Sequence, residues 1–231
     1  AWLWDVGASG LRRVTAGVSE KPGNWKTLLE TKPRLFREAG LAILRNGDTP
    51  EEQIQVTFDY GKALFHASLD RNTIALSAFG RVYTHGPGSL YNVGNGGMER
   101  AADKRLDSFC SHNSIGQNVI LIDRESQLPT VGQLVAWNPE PAMQVVAARV
   151  DGVRPGVAHT RAVVLTEGLV IVLDRMESGT THEYDFAYHN FGEFAPGEGW
   201  TIAPAGNPLG TTANLESIVD LKRAEGPAPF K

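Results

Sequence analysis

The chain has 231 residues, of which 42% are hydrophobic and 21% charged, and its formal net charge is -4. This length is enough to bury the core of one all-β domain or of two small domains. The weak negative charge and the lack of a Lys/Arg run exclude the electrostatic footprint of a nucleic-acid or acidic-membrane binder, so we expect neither partner. The single cysteine, Cys110, excludes an internal disulfide.

Residues 1–35 are predicted to form an N-terminal arm with helical or irregular structure. No strand or helix period persists in this stretch, and a turn is expected at 21–24. Trp2 and Trp4 need a partner surface, and two explanations stay open: a packed arm, or a surface left by a missing domain. The start on Ala1 and the lack of a signal-peptide pattern or a long apolar run lead us to expect a fragment or a processed chain without a membrane span.

From residue 36 onward the hydrophobic period changes to two, which is typical of strands with one buried face. Short alternating segments recur between turn residues, namely FREAGLAILRNG, IQVTFDYG, ALFHASLD, NTIALSAFG, RVYTHGPGS, NVILIDR, VGQLVAWNP, MQVVAARVDG, HTRAVVLTEG, LVIVLDRMES and HEYDFAYHNFG. This pattern predicts a large antiparallel β-sandwich over 36–231. The almost wholly apolar run GLVIVLD predicts a central strand covered on both faces. The looser tail is expected to add short strands near 200–202 and 218–221.

Polar side chains cluster in the segment FHASLD. In a strand, His66, Ser68 and Asp70 lie on one face. Histidine titrates closest to neutral pH, so His66 is a candidate general acid or base. A solvated surface histidine is the alternative.

A Gly-Pro-Gly turn follows and brings Tyr91 to a sharp corner, where a tyrosine can donate a proton, although the turn is also an ordinary one. His112 and Asn113 then open the next predicted strand. His159 is predicted to lie in a surface loop. In HEYDFAYH, His182 and Tyr184 share a strand face, which fits either a cross-strand pair or a sugar-binding groove.

These motifs together form an ordered set: His66 to Asp70, the turn Gly86-Pro87-Gly88-Ser89, Tyr91, His112-Asn113-Ser114, Ile122-Asp123 and Gln127. In that order, they resemble the C-terminal β-sheet region of the heparinase II/III-like polysaccharide lyases. The resemblance implies β-elimination on a uronic-acid-containing polysaccharide. It also implies a secreted or periplasmic protein and a partner α/α toroid domain or chain, of which residues 1–35 would be the end.

The resemblance carries the family's sheet histidine onto His66. Tyr91 is the second catalytic candidate, for substrate contact or proton donation. Arg71, Asn113 and Gln127 are predicted to bind the anionic polysaccharide.

Relatives hold a zinc ion with three residues of this region, and the matching positions here are Ser68, Gly86 and His112. Zinc takes about four N, S or O ligands, and His112 alone is a strong one. We therefore expect no cofactor at this position.

Two other functions stay open. A non-catalytic glycan-binding or scaffold sandwich would fit the altered metal positions. A sandwich glycoside hydrolase would need two carboxylates at a suitable separation, and the motif region offers only Asp70 on the shared face.

Overall fold

The computed structural model describes residues 30–61, 68–84 and 113–189 with their side chains. It describes the backbone alone of four further strands: β1 (Leu3–Gly7), β2 (Gly10–Val14), β14 (Thr201–Pro204) and β15 (Lys222–Glu225). In this part of the chain, no helix is long and apolar enough to cross a membrane.

Two antiparallel sheets contain most of the described strands. The first has five strands in chain order: β3 (Arg34–Phe36), β4 (Leu41–Asn46), β5 (Ile54–Asp59), β6 (Thr73–Ala78) and β7 (Arg81–Thr84). The second contains β9 (Gly132–Asn138), β10 (Gln144–Arg154), β11 (Val157–Leu165) and β12 (Val170–Ser178), again as neighbours in chain order. A third, short sheet pairs β8 (Ile120–Ile122) with β13 (Tyr184–Phe186).

The core lies between the two larger sheets. Alternate residues of β4 and β5, such as Leu44 and Phe58, are fully buried and belong to one cluster with Val146 of β10 and Val163 of β11. Each strand therefore turns one face to the facing sheet, as period-two alternation requires. The predicted all-β antiparallel sandwich is confirmed.

The third sheet closes one end of the sandwich. Ile120 and Ile122 of β8 join a second buried cluster with Val150, Val153 and Val157 from β10 and β11. All three residues of β8 are buried, because the four-stranded sheet covers one of its faces.

The N-terminal prediction is wrong over part of its length. Instead of helix or irregular structure, β1 and β2 form an antiparallel hairpin in which Leu3 pairs with Val14 and Gly7 with Gly10. The alternation of Leu3, Asp5 and Gly7 with Trp4 and Val6 suits a strand, but it is too short to stand out from sequence.

Two of the predicted strands differ in their bounds from the strands in the structure. The segment 36–47 is divided by a turn at 37–40, where Gly40 adopts a φ of +67° that favours glycine. The predicted strand through Asp70 is absent over 68–70, which leads by a turn into β6.

The run GLVIVLD is not a central strand, because β12 is the edge of its sheet. Leu173 is 57% exposed and Ile171 37%, so one apolar face of the run is not covered by the described residues. In the tail, the backbone of β14 pairs with that of β15. β14 overlaps the strand predicted near 200–202, whereas β15 begins one residue after the strand predicted near 218–221, and residues 218–221 lie outside the described residues.

Candidate functional site

A cavity of about 240 Å³ lies where β5 ends and β6 begins, on the face of the five-stranded sheet that is turned away from the core. We call it the Asp70 cavity. Period two places Thr57 and Asp59 on this face, because Phe58 between them is fully buried on the other. The complete lining is Leu41, Thr57, Asp59, Ser68, Asp70, Thr73, Ile74, Ala75 and Gln117.

A larger depression, of about 520 Å³, lies on the four-stranded sheet beside Arg149. There Arg149 forms ion pairs with Asp151 at 2.8 Å and with Glu177 at 3.0 Å. Each of these charges has an ion-pair partner, and no residue of the sequence motifs lines the depression. The Asp70 cavity, which Ser68 and Asp70 line, is therefore the candidate site.

Arg71 lies behind this cavity with its side chain only 4% exposed. Its Nη1 donates to Asp59 Oδ1 at 3.3 Å and to the Gly61 carbonyl oxygen. Its Nη2 donates to the Asp70 carboxylate and, at 3.3 Å, to the Ser68 carbonyl oxygen. One guanidinium therefore holds both carboxylates of the cavity, and the predicted substrate-facing cation directs its described hydrogen bonds to this chain.

Burial raises the pKa of the Asp70 carboxyl above its ordinary value, while the Arg71 charge acts in the opposite direction and the neighbouring Asp59 adds to the rise. Desolvation disfavours the ionised form of any carboxylic acid, and here the ion pair does not outweigh it. Asp70 is thus more ready to carry a proton than an exposed aspartate. Such a group can donate or accept a proton within the cavity.

Gln127 is also buried, at 3% exposure. Its Oε1 accepts from the Arg71 backbone N–H at 2.8 Å, and its Nε2 donates to the Arg71 carbonyl oxygen at 3.1 Å. The amide side chain therefore pairs with the Arg71 backbone as a neighbouring strand would. This contact orients the segment that carries Asp70.

The same segment is held from a second side by a 3-10 helix, Ser114–Gly116. The Ser114 hydroxyl donates to the Leu69 carbonyl oxygen and accepts from the Gln127 N–H at 2.9 Å. The preceding Asn113 accepts a hydrogen bond from the Ser126 hydroxyl at 3.3 Å. The fold therefore brings Arg71, Asn113 and Gln127 into one network behind the Asp70 cavity.

Three predicted site residues, His66, Tyr91 and His112, lie outside the described residues. His66 precedes Ser68, which lines the cavity, by two positions. The catalytic roles of His66 and Tyr91 stay predictions.

The residues at the family's metal positions do not fit zinc. Ser68 offers a hydroxyl, a weak ligand compared with histidine or cysteine, and Gly86 has no side chain. Among the described residues, no group of three His, Cys, Asp or Glu side chains is placed to hold a metal ion. Because His112 lies outside the described residues, the expectation of no cofactor at this position stays a prediction.

A second polar cluster, between the sheets, was not predicted. Arg161 of β11 is fully buried, and its Nε donates to Asp174 Oδ1 of β12 at 2.7 Å. Its Nη1 donates to the carbonyl oxygens of Asn72 at 2.7 Å and Asn118 at 2.8 Å. Arg161 thus links the four-stranded sheet to the turn beside Asp70 and to the segment before β8.

His159 was predicted to lie at the surface, and this is wrong. It is 1% exposed in β11, and its Nε2 is 2.6 Å from Asp174 Oδ1. Burial acts to raise the pKa of Asp174, but hydrogen bonds from His159 and Arg161 outweigh it and hold that pKa below its ordinary value. The sequence does contain a signal for the pair Arg161 and Asp174. Each is a charged residue in an alternating apolar segment, HTRAVV and VLDRM, and the two are paired in register.

The solved structures that the fold resembles include a heparinase III, with 16% sequence identity and a TM-score of 0.63 over 76% of this chain. Another is the heparan sulfate lyase HepC from Pedobacter heparinus, with 18% identity and a TM-score of 0.56 over 65% of this chain. No protein-family model and no curated protein matches the sequence.

The chain spans about a quarter of each of these proteins, 27% of the heparinase III and 23% of HepC. Likeness at this low identity concerns the fold. The fold expected from the resemblance to heparinase-like lyases is thereby confirmed: the chain has the β-sandwich fold found in heparinase III and in HepC.

Proposed function

We propose that this chain is the β-sandwich part of a polysaccharide lyase that cleaves a uronic-acid-containing polysaccharide by β-elimination. The observation that carries the proposal is the likeness of this fold to a heparinase III and to the heparan sulfate lyase HepC. It is supported by the ordered motif residues, since Ser68 and Asp70 line one cavity and Arg71, Asn113 and Gln127 lie behind it. The sandwich would act with an α/α toroid, in a secreted or periplasmic protein.

β-Elimination requires two proton transfers. The C5 proton of the uronic acid is removed, its electron pair forms the C4=C5 double bond, and the C4–O4 bond breaks as O4 takes a proton. We assign one transfer to His66 and propose Tyr91 for substrate contact or for proton donation to O4. Asp70, with its raised pKa, could exchange a proton within the cavity during these transfers, while the buried Arg71 keeps its carboxylate in place.

Arg71, Asn113 and Gln127 act in this proposal as positioning residues, which refines the expectation of direct substrate contact. Gln127 uses both ends of its amide on the Arg71 backbone. The guanidinium of Arg71 is committed to Asp59 and Asp70. Arg71 would therefore influence the substrate through the two carboxylates that it holds, and Gln127 through the position of Arg71.

The test measures the ultraviolet absorbance of the unsaturated product. The chain is incubated with alginate, heparan sulfate, hyaluronan and chondroitin. If it is part of a longer protein, the whole protein is tested in the same way. We expect absorbance to rise on one of these substrates and the His66→Ala variant to lose the rise. The matched control is Arg175→Ala, which removes a side chain exposed to 76% and away from the cavity lining, and it should keep the rise.

Absence of product on every substrate, with the whole protein folded, would contradict the lyase. Binding without product would then favour the second candidate, a non-catalytic glycan-binding sandwich, which the poor zinc ligands at Ser68 and Gly86 favour. New reducing ends without ultraviolet absorbance would indicate hydrolysis, for which Asp59 and Asp70 provide two carboxylates in one cavity.

A further inference from the structure

A row of rings follows β13 and the residues on either side of it. Tyr184, Phe186 and Tyr188 alternate along the chain and are 40%, 48% and 46% exposed. The His182 and Tyr184 ring centroids are 6.2 Å apart, and those of Phe186 and Tyr188 5.8 Å. We call these four side chains the aromatic row. Large rings that stay half-exposed at regular spacing, away from the lining of the Asp70 cavity, call for a ligand.

The backbone beneath the row is held in place at intervals. The Asp123 N–H donates to the Glu183 carbonyl oxygen at 2.9 Å, and the Ala187 N–H donates to that of Val119 at 2.9 Å. Further along, the His189 N–H donates to Asn118 Oδ1 at 2.7 Å. A surface held in this way loses little conformational entropy when a ligand binds.

Two rings of the row are also fixed from below. His182 contacts Asp123 Oδ2 through Nδ1 at 2.6 Å and Thr180 Oγ1 through Nε2 at 2.9 Å, so both ring nitrogens are engaged. The Phe186 ring covers the buried Arg161, whose Cζ is 4.9 Å from the ring centroid. Phe186 therefore has one face on a buried cation and the other available to a ligand.

The charges beside the row do not favour a strongly anionic ligand. Of the cations described there, Arg124 forms an ion pair with Glu183 at 2.8 Å and Arg161 with Asp174 at 2.7 Å. Asp123 adds a carboxylate that already contacts His182 Nδ1, and Asp185 lies on the opposite strand face from Tyr184 and Phe186. Each of these cations is already paired with a carboxylate, so a densely sulfated chain would gain no charge-assisted hydrogen bond from them, whereas an apolar sugar face needs none.

We propose that the aromatic row is a glycan-binding subsite that stacks the C–H faces of successive pyranose residues and prefers unsulfated to sulfated segments. Its ring spacing is comparable to the length of one pyranose residue, and tyrosine hydroxyls at its edge can bond sugar hydroxyls. The choice of a glycan as occupant rests on the proposed function. The row would hold a chain at a distance from the Asp70 cavity and select its lightly charged segments.

The experiment measures binding rather than turnover. The protein is titrated with a hexasaccharide of alternating glucuronic acid and N-acetylglucosamine, and with its sulfated counterpart. Saturation transfer from aromatic protons reports which sugar protons lie against the rings. We expect transfer to the unsulfated chain and a Kd that rises about tenfold in Tyr184→Ala or Tyr188→Ala, the size expected for one stacked ring.

Two controls separate stacking from folding. Tyr188→Trp should keep the parent Kd, because it keeps a ring at that position. Leu173→Ala, which shortens a side chain exposed to 57% on β12, should also leave it unchanged. Unchanged binding in both tyrosine-to-alanine variants, or tighter binding of the sulfated chain, would contradict the proposed subsite. If binding depends on the rings but no unsaturated product forms, the lyase proposal is contradicted and the glycan-binding subsite is supported.

Discussion

Two aspartates of this protein have pKa shifts in opposite directions. Asp70 and Asp174 are both largely buried beside an arginine. Asp70 shares its arginine with the Asp59 carboxylate, and burial keeps its pKa raised. Asp174 receives hydrogen bonds from both His159 and Arg161, and these lower its pKa in spite of burial. The number of donors for each carboxylate therefore decides the sign of the shift.

This difference predicts opposite pH dependences of stability. A raised native pKa means that Asp70 favours the folded state most below its unfolded pKa of about 3.9, and that this contribution declines as pH rises through the native pKa. The free energy of unfolding of Asp70→Asn, minus that of the parent, should therefore increase between acid and neutral pH. Urea denaturation at a series of pH values measures it, and a flat or falling difference would contradict the assignment.

Asp174→Asn is the matched variant in that series. Its parent residue has a lowered native pKa, so its contribution is present above the unfolded pKa of about 3.9 and lost as pH falls through the native pKa. The parent should exceed Asp174→Asn in stability at neutral pH and lose this advantage in acid. The two curves should have slopes of opposite sign.

At the scale of elements, the two large sheets meet at Gly132, the first residue of β9. Its N–H donates to the carbonyl oxygen of Tyr60, just after β5, at 2.8 Å. A Cβ at Gly132 would lie 2.5 Å from that oxygen and 3.0 Å from the Tyr60 Cβ. Such distances are too short for any side chain, so the close approach of the two sheets depends on glycine.

Gly132→Ala should therefore destabilise the fold by about 1–3 kcal/mol, the usual cost of overpacking. Thermal or urea denaturation measures the effect. Gly168→Ala is the control, because a Cβ there meets nothing within 4 Å, and it should change stability by no more than about 0.5 kcal/mol. Equal effects of the two substitutions would show that the approach at Tyr60 is not tight.

Sequence patterns predicted where the strands lie better than which strands are neighbours in a sheet. Strands β5, β6, β10 and β11 follow from alternation, since each buries one face. The run of β12 is predicted to lie at the sheet centre, because apolar residues on both faces are typical of a central strand. An edge strand with one uncovered face can have the same sequence pattern. Strand order depends on long-range contacts that periodicity does not contain.

The candidate site was predictable to a similar degree. The resemblance identified Asn113 and Gln127, and Arg71 was selected as a cation beside the motifs. The fold brings the three together. Their described hydrogen bonds are made within this chain. For Arg71 this direction is set by the turn that the Thr73 N–H and the Asp70 carbonyl oxygen close, which the spacing of residues does not reveal. Asp59 was missed, because an aspartate at the end of a strand is common and only the cavity distinguishes it.

At the scale of the whole molecule, one side chain connects the two large sheets and the β8–β13 pair. Arg161 belongs to the four-stranded sheet and bonds the carbonyl of Asn72, just before β6. It also bonds the carbonyl of Asn118, just before β8, and lies beneath Phe186 of β13. The β8–β13 pair packs on the four-stranded sheet through a hydrophobic cluster, and this guanidinium adds directional contacts to that interface.

Arg161→Leu should therefore cost about 3–5 kcal/mol, because it leaves Asp174 and two buried carbonyl groups without their charged partner. The loss should not be uniform. Amide hydrogen exchange is expected to accelerate most at Ile120–Ile122 and less at Ile54–Asp59, whose strand lies at the centre of its sheet. Arg175→Leu, which removes a guanidinium exposed to 76%, is the control and should leave both rates unchanged. If Arg161→Leu instead accelerated exchange equally in the two strands, the guanidinium would support the sandwich as a whole rather than the seat of its third sheet.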